Sequence, residues 1–353
     1  MSEPAVDVTI VSACRNEVRH IETFLDSVAR QEHDGLTLEV IVADGASDDG
    51  TGQILAEWAR RSNVMRIVEN PERIVSTGLN RAIRAARGAI IVRMDVHTEY
   101  APDYVRECVA LLERTGADNV GGPARTRATG TLPRAIAAAY HSRFSTGGAR
   151  FHDENFEGPV DTVTYGCWRA STLERLGLFD ENLVRNQDDE LNLRTTRAGG
   201  VVWQSPRVRS WYSPRPSFGA LFRQYFQYGF WKVAVIRKHR LPGSWRHLVP
   251  GAAVLLGAAL VVAWLAAVLT RSPWAGTIAA VSLVLALGYV ACSAVASAMA
   301  ARRHGWDLLP LLPMAFAVFH VAYGLGFVAG AAYFGPGVRI GLSTPRGATG
   351  LTR

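Results

Sequence analysis

Up to about residue 246, apolar and charged positions alternate in short segments; beyond it come three long runs nearly free of charge. The runs cover 248–270, 274–301 and 308–334, each longer than the roughly 20 apolar residues that cross a bilayer. The pattern predicts a soluble front followed by about three transmembrane helices. Within the front, a β-branched strand at 6–13 leads through the polar corner Cys14-Arg15-Asn16-Glu17 to an amphipathic helix at about 21–30. A second unit has a strand at 38–43, an acid- and glycine-rich turn at 44–51 and a helix at 53–61. A third has a strand at 65–68, an Asn70-Pro71 turn and a helix around 77–87 that should end at Gly88. Strands and helices alternating at this spacing predict an α/β, Rossmann-like domain with a mostly parallel sheet covered on both faces.

The fourth strand opens the stretch A-I-I-V-R-M-D-V-H-T-E, from Ala89 to Glu99. An apolar run that ends in an acid and a histidine delivers polar side chains to the carboxyl edge of the sheet, where ligands of open α/β sheets bind. If the strand continues, Asp95 and His97 share a face and can hold a divalent cation. By itself a D-x-H triplet equally describes a polar strand end without metal.

Charge and cysteine content narrow the class. The formal net charge is +7, and Arg237, Lys238, His239, Arg240, Arg246 and His247 cluster just before the first long run. That position favours anionic headgroups over nucleic acid and predicts a cytoplasmic location for the preceding part. Cys14, Cys108, Cys167 and Cys292 have no C-x-x-C spacing, so reduced thiols are expected rather than a zinc site or disulfides. The start M-S-E-P-A-V-D lacks a secretory pattern. The turn Asp44-Gly45-Ala46-Ser47-Asp48-Asp49-Gly50-Thr51 has no lysine and matches neither phosphate-loop motif. Asp49 reads as a cap for the next helix, whereas Asp44, at the strand's last position, reads as a hydrogen-bond acceptor for ligand.

R-N-E after the first strand, A-D-G-A-S-D-D-G-T after the second, G-L-N-R-A-I-R-A-A-R-G before the fourth and then M-D-V-H resemble, in that order, the family 2 glycosyltransferases of GT-A fold. The stretch from Tyr165 to Gly199, with Q-D-D-E-L, is similar to that family's acceptor region and its E-D-x-[DE]-L motif. With the apolar tail, the arrangement resembles the ExoA-like membrane enzymes of succinoglycan-type polysaccharide assembly; the likeness is good over roughly 6–240 and loose beyond. It implies an inverting transfer from a nucleotide sugar.

On that resemblance Glu17 would accept from ribose hydroxyls, Asp44 would meet a uracil edge, and Asn80 with Gly78 would shape the pocket floor. Asp95 and His97 take the D-x-D positions, with histidine for the second acid. Imidazole suits Mn²⁺ better than Mg²⁺, which implies a divalent cation with Mn²⁺ favoured. Asp188 falls at the general-base position, followed by Asp189 and Glu190, and Gln187 replaces the usual glutamate, removing a charge that would raise the base's pKa. The helical spacing from Asp188 to Arg194 also permits a plain charged helix. A base favours a sugar-hydroxyl acceptor over a polyprenyl phosphate, which brings its own anionic nucleophile. The segment from Ser217 to His239 suits an amphipathic interface helix, and it resembles loosely the family's Q-x-x-R-W region, making Gln224, Tyr228, Trp231 and Lys232 candidates for acceptor or diphosphate contacts.

The expected layout is a GT-A domain at 1–215, an interface-helix region at 216–246, a membrane domain at 247–336 and a tail at 337–353. Three crossings would place Arg339, Arg346 and Arg353 outside, in mild conflict with the positive-inside rule, and re-entry at Pro310 to Pro313 would resolve it. The reading is a multi-pass plasma-membrane hexosyltransferase of bacterial type with a cytoplasmic catalytic domain, moving sugar from a UDP-hexose, glucose-like, to a lipid-linked saccharide acceptor. A processive synthase of the cellulose or hyaluronan type, or a non-catalytic membrane sensor of nucleotide sugars, are the alternatives.

Overall fold

The computed structural model describes residues 6–335; Arg339, Arg346 and Arg353 lie outside the described residues. In chain order the elements are β1 Val8–Cys14, α1 Ile21–Ala29, β2 Leu38–Asp44, α2 Thr51–Arg61, β3 Met65–Glu69, α3 Val75–Ala85, β4 Ile90–Arg93, β5 Thr98–Tyr100, α4 Tyr104–Thr115 and β6 Asn119–Gly122. They continue with α5 Thr131–Tyr140, α6 Arg143–Thr146, β7 Gly158–Pro159, β8 Thr164–Arg169, α7 Ala170–Leu176, α8 Gln187–Arg197, β9 Val202–Gln204 and β10 Ser210–Tyr212. Four long helices follow: α9 Phe218–His239, α10 Val249–Leu269, α11 Ala275–His304 and α12 Leu312–Tyr333. The chain divides into two compact units, one of residues 6–127 and 150–213, the other of 128–149 and 214–335.

The first unit holds an eight-stranded sheet in the order β3-β2-β1-β4-β8-β6-β9-β7. β3, β2, β1 and β4 run parallel, as crossover helices require, while β8 pairs antiparallel with both β4 and β6. Strand residues alternate between two buried layers: Val8, Ile10, Val40, Val42 and Val92 face one, and Val11, Ile41, Ala43 and Ile91 the other. Both faces are therefore apolar, which explains why these strands read as continuous hydrophobic runs. Arg93 follows Ile91 at a spacing of two, so it shares the Ile91 face, the layer that contains Phe179 and Leu191.

Two local expectations are corrected. Helix α3 stops at Ala85, and Ala86 is already extended, so Gly88 is not its cap. Gly88 instead crosses β1 so closely that a Cβ would lie 2.5 Å from the Thr9 amide nitrogen, and its own N–H donates to Thr9 Oγ1 at 2.9 Å. Strand β4 ends at Arg93, so Asp95 and His97 sit in a turn and strand periodicity does not make them share a face.

The second unit begins earlier than the boundary at 215, because 128–149 belongs to it. Ala135, Ile136, Ala138 and Ala139 of α5 are buried in a cluster with Ala296, Ala300 and Ala301 of α11 and Leu312, Phe316 and Phe319 of α12. Among the described residues, three helices, at 245–269, 275–304 and 312–333, are long and apolar enough to cross a membrane.

Candidate active site

The site is built on Arg93. Its guanidinium is buried, with 3 % of the side chain exposed, and it meets two carboxylates. Nε and Nη2 donate to the two oxygens of Asp95 at 2.7 and 2.9 Å, and Nη1 donates to Asp188 Oδ1. The Phe179 ring lies 5.8 Å from the guanidinium carbon. A forked pair with one acid and a third N–H for another is geometry that guanidinium provides and ammonium does not. Burial opposes the arginine's charge, but Asp188 and Asp95 more than offset it and raise its pKa above the ordinary value.

Each acid is delivered by a different local device. Asp95 follows β4, and its turn is fixed from below: the Asp95 N–H donates to the Tyr100 hydroxyl at 2.5 Å, while Thr98 Oγ1 and the Tyr165 hydroxyl share a hydrogen bond. Tyr100 packs against Tyr104 at 4.7 Å and Tyr165 at 5.7 Å, and burial pushes all three phenols well above their usual range. Asp188 stands in the first turn of α8, where the helix N-terminus favours negative charge. Although 38 % of its side chain is accessible, the carboxyl sits among buried groups. That burial raises its pKa to about 6; Arg93 pulls the other way, and Asp95 and Asp189 push it up. The charge absent at Gln187 is thus supplied by other neighbours.

Glu190, two residues on, is committed elsewhere. It is fully buried and pairs with Arg194, whose Nε reaches both oxygens at 2.9 and 3.0 Å and whose Nη2 reaches Oε2 at 2.8 Å, while Nη1 and Nη2 also donate to the carbonyls of Leu176 and Leu178. Glu190, through Arg194, therefore fastens α8 to the end of α7. Asn80 is likewise engaged: Nδ2 donates to the Phe179 carbonyl at 2.8 Å and to Glu181 Oε1 at 2.9 Å, and Oδ1 accepts from the Phe179 N–H at 3.0 Å. It pins the segment that carries Phe179, whose ring lies over Arg93. A Cβ on Gly78 would lie 2.9 Å from Ala13 Cβ, so the glycine lets α3 approach β1.

The first two strand ends carry Glu17 and Asp44. Glu17 is buried and its N–H donates to Thr51 Oγ1 at 2.8 Å. Asp44 accepts from Ser47 Oγ at 2.6 Å and from the Ser47 N–H at 3.3 Å, a local turn bond not expected of it, while Asp49 makes the turn bond that was expected, accepting from the Thr51 N–H at 3.0 Å. Asp49 ties the two loops together, accepting from Thr51 and from the Val18 N–H at 3.1 Å. Gln224, Tyr228, Trp231 and Lys232 belong to the second unit: Gln224 donates to the Tyr228 hydroxyl at 3.0 Å, and Trp231 and Lys232 are buried, Trp231 with its ring 5.7 Å from that of Phe334.

For a divalent cation the donor set is small. Among the described residues no group of three or more His, Cys, Asp or Glu side chains could hold a metal ion. Asp95 offers oxygens already engaged by Arg93, and the His97 ring is set edge-on to Tyr212 at 5.8 Å. One carboxylate and one imidazole fit a cation that arrives with phosphate oxygens of its own, as Mg²⁺ and Mn²⁺ do with nucleotides, rather than a resident ion. Arg93 escaped the sequence reading, although an arginine inside the run I-I-V-R-M was a signal, since a buried charge requires a partner.

Residues 9–175 match the profile described as Glycosyl transferase family 2. The chain is 30 % identical over 322 residues to the succinoglycan biosynthesis protein ExoA of Rhizobium meliloti, covering 90 % of this chain and 93 % of that protein. It is 24 % identical over 239 residues, 65 % of this chain and 74 % of the other, to the dolichyl N-acetyl-alpha-D-glucosaminyl phosphate 3-beta-D-2,3-diacetamido-2,3-dideoxy-beta-D-glucuronosyltransferase of Methanococcus voltae. Among solved structures, a mannosyltransferase from Pyrobaculum calidifontis in complex with GDP-mannose and Mn²⁺ shares the fold with a TM-score of 0.58 at 22 % identity, covering 91 % of this chain and 86 % of that one.

Proposed function

Because the chain belongs to glycosyl transferase family 2, a GT-A-fold glycosyltransferase of polysaccharide biosynthesis, we propose that it transfers a hexose from a UDP-sugar, with inversion, to a hydroxyl of a lipid-linked saccharide. The observation that carries this reading is the bridge made by Arg93 between Asp95 and Asp188, which unites an acid from the end of β4 with one from the start of α8.

In this mechanism Asp188 takes the proton of the acceptor hydroxyl as that oxygen bonds to the anomeric carbon. The bond from the anomeric carbon to the diphosphate breaks, and its electron pair leaves with the nucleoside diphosphate. A carboxyl that ionises near pH 6 is matched to this task at neutral pH. Arg93 holds Asp188 in place and keeps a positive charge beside the site. Asp95 and His97 would hold a divalent cation jointly with the diphosphate; when bound, that ion stabilises the charge on the leaving group. Glu17 and Asp44 remain the candidates for ribose and base, the latter after releasing Ser47. The apolar helices of the second unit suit an acceptor carried in a membrane, with the catalytic unit on the cytoplasmic side.

The test is release of UDP by the full-length protein in lipid vesicles, screened over UDP-hexoses with and without a bacterial lipid extract as acceptor. Acceptor-dependent release from one donor is expected. Release that ignores the acceptor, or none from any UDP-sugar, would overturn the donor and acceptor assignments.

A further inference from the structure

We infer that only α10 and α11 cross the membrane, and that α12, paired along its length with α9, lies in the headgroup interface on the side from which α10 enters. The proposal rests on packing within the second unit and is independent of the donor or acceptor.

The α10–α11 hairpin sets the frame. Helix α10 has 21 residues, which at 1.5 Å each extend about 31 Å, the thickness of a hydrocarbon core. Exposed tryptophans mark both of its ends: Trp245 and Trp306 flank the base, Trp274 the tip, as aromatic belts do. Arg246, Arg302, Arg303 and His304 also stand at the base. Helix α11 has 30 residues, about 45 Å, so counted from the tip its last ten or so emerge beyond the core.

The other helices touch this hairpin near its base. The emergent residues Ala296, Ala300 and Ala301 pack on Leu312, Ala315, Phe316 and Phe319 of α12. Further along α12, Gly324 fits against Pro250 and Val254, and Phe327 against Gly251, all in the first two turns of α10. Helix α12 also meets α11 through a hydrogen bond of 3.0 Å between His320 Nδ1 and the Tyr289 hydroxyl, about two turns short of the emergent residues. Beyond it the large apolar residues of α10 and α11, from Leu255 and Leu256 to Val281 and Leu287, are exposed as lipid-facing residues would be. A third span would run beside these helices through the core; α12 instead joins their two basal ends. It is also the least exposed of the three, with 39 % of its most apolar stretch buried against 6 % for each of the others.

Helix α9 gives a second, separate reason. Glycines let it lie against α12 in parallel register: a Cβ on Gly326 would lie 2.0 Å from the Phe226 carbonyl oxygen, and one on Gly330 2.5 Å from that of Phe230. Arg237 donates to the Phe334 carbonyl at 2.6 Å. In this register the exposed Arg223 stands level with Tyr323, at the middle of α12. Were α12 a full crossing, Arg223 would face the centre of the bilayer, the least favourable depth for a guanidinium. In the interface the same side chain meets headgroups, and the exposed apolar stripe of Met314, Val321 and Leu325 meets the acyl boundary, continuous with the spans.

The test uses the full-length chain in a Gram-negative host with green fluorescent protein or alkaline phosphatase placed at the N-terminus, between Arg271 and Ser272, or at the C-terminus. Both terminal reporters should report the same side, with phosphatase activity lost at each, and the hairpin reporter the opposite side. A C-terminal reporter on the hairpin's side, or all three on one side, would overturn the inference. A minimal variant guards against reporter-induced misfolding: Arg223→Cys in a Cys292→Ser background should react with an impermeant maleimide from the side of α9 in sealed vesicles. Protection of that cysteine until detergent is added would place it in the core and refute the proposal.

Discussion

Two ion clusters stand two residues apart on helix α8, and they differ in a way that separates structure from chemistry. In the Arg194 cluster one arginine serves one buried acid, Glu190, and its spare N–H groups are satisfied by the carbonyls of Leu176 and Leu178. In the Arg93 cluster one arginine is divided between two acids, and Asp188 keeps 38 % of its side chain accessible with its pKa raised to about 6. A closed pair tied to two carbonyls holds helices together; in the proposed mechanism a shared cation beside a half-open acid leaves a proton free to move. The difference teaches that charge density on a helix is a poor guide to function until the partner of each acid is known.

The largest effect expected from breaking this contrast is on turnover. Asp188→Asn should lower transfer by roughly 10²–10⁴-fold while leaving nucleotide-sugar affinity nearly unchanged, as single-turnover transfer and donor titration would show. Retained turnover would move the base to Asp189. Glu190→Gln should act on the other cluster and on the other property: loss of a buried partner should cost about 3–5 kcal/mol of stability, read as an earlier unfolding midpoint in detergent, with kcat per folded molecule little changed. A selective loss of kcat at full stability would show that the two clusters are not distinct. The smallest effect concerns the metal. Activity should be higher with Mn²⁺ than with Mg²⁺ if His97 is a ligand, and equal rates at saturation would remove His97 from the cation's shell.

Much of the first unit was legible from residue pattern. The first three strands and the ends of α1 and α2 fell within a few residues of expectation, because buried parallel strands and amphipathic helices carry strong periodic signals. Asp95 and Asp188 were readable as candidates from motif order. Their joint engagement of Arg93 was not, since it depends on β4 stopping at Arg93 and on α8 being packed over the Ile91 face, both tertiary facts. The pair of Glu190 with Arg194 had a visible signal in its spacing of four, which the motif alignment overrode. The place of α5 in the second unit was hidden because its buried face is mostly alanine, which announces neither a core nor a membrane. The register of α9 on α12 was hidden for a similar reason: glycines that permit close packing look, in sequence, like glycines that permit turns.

The central claim is that Asp188 acts as the base while Arg93 holds its pKa down against burial. The pH dependence of kcat/KM for the wild type and for Arg93→Met tests it most directly, methionine being an apolar filling for the buried site. The base must be ionised, so the wild-type rate should climb with pH through a midpoint near 6 and then level off. Removing the arginine takes away the charge that lowers this value, so the midpoint should move upward and the rate at pH 7 should fall. A wild-type profile flat across this range, or a midpoint that Arg93→Met leaves in place, would contradict the account.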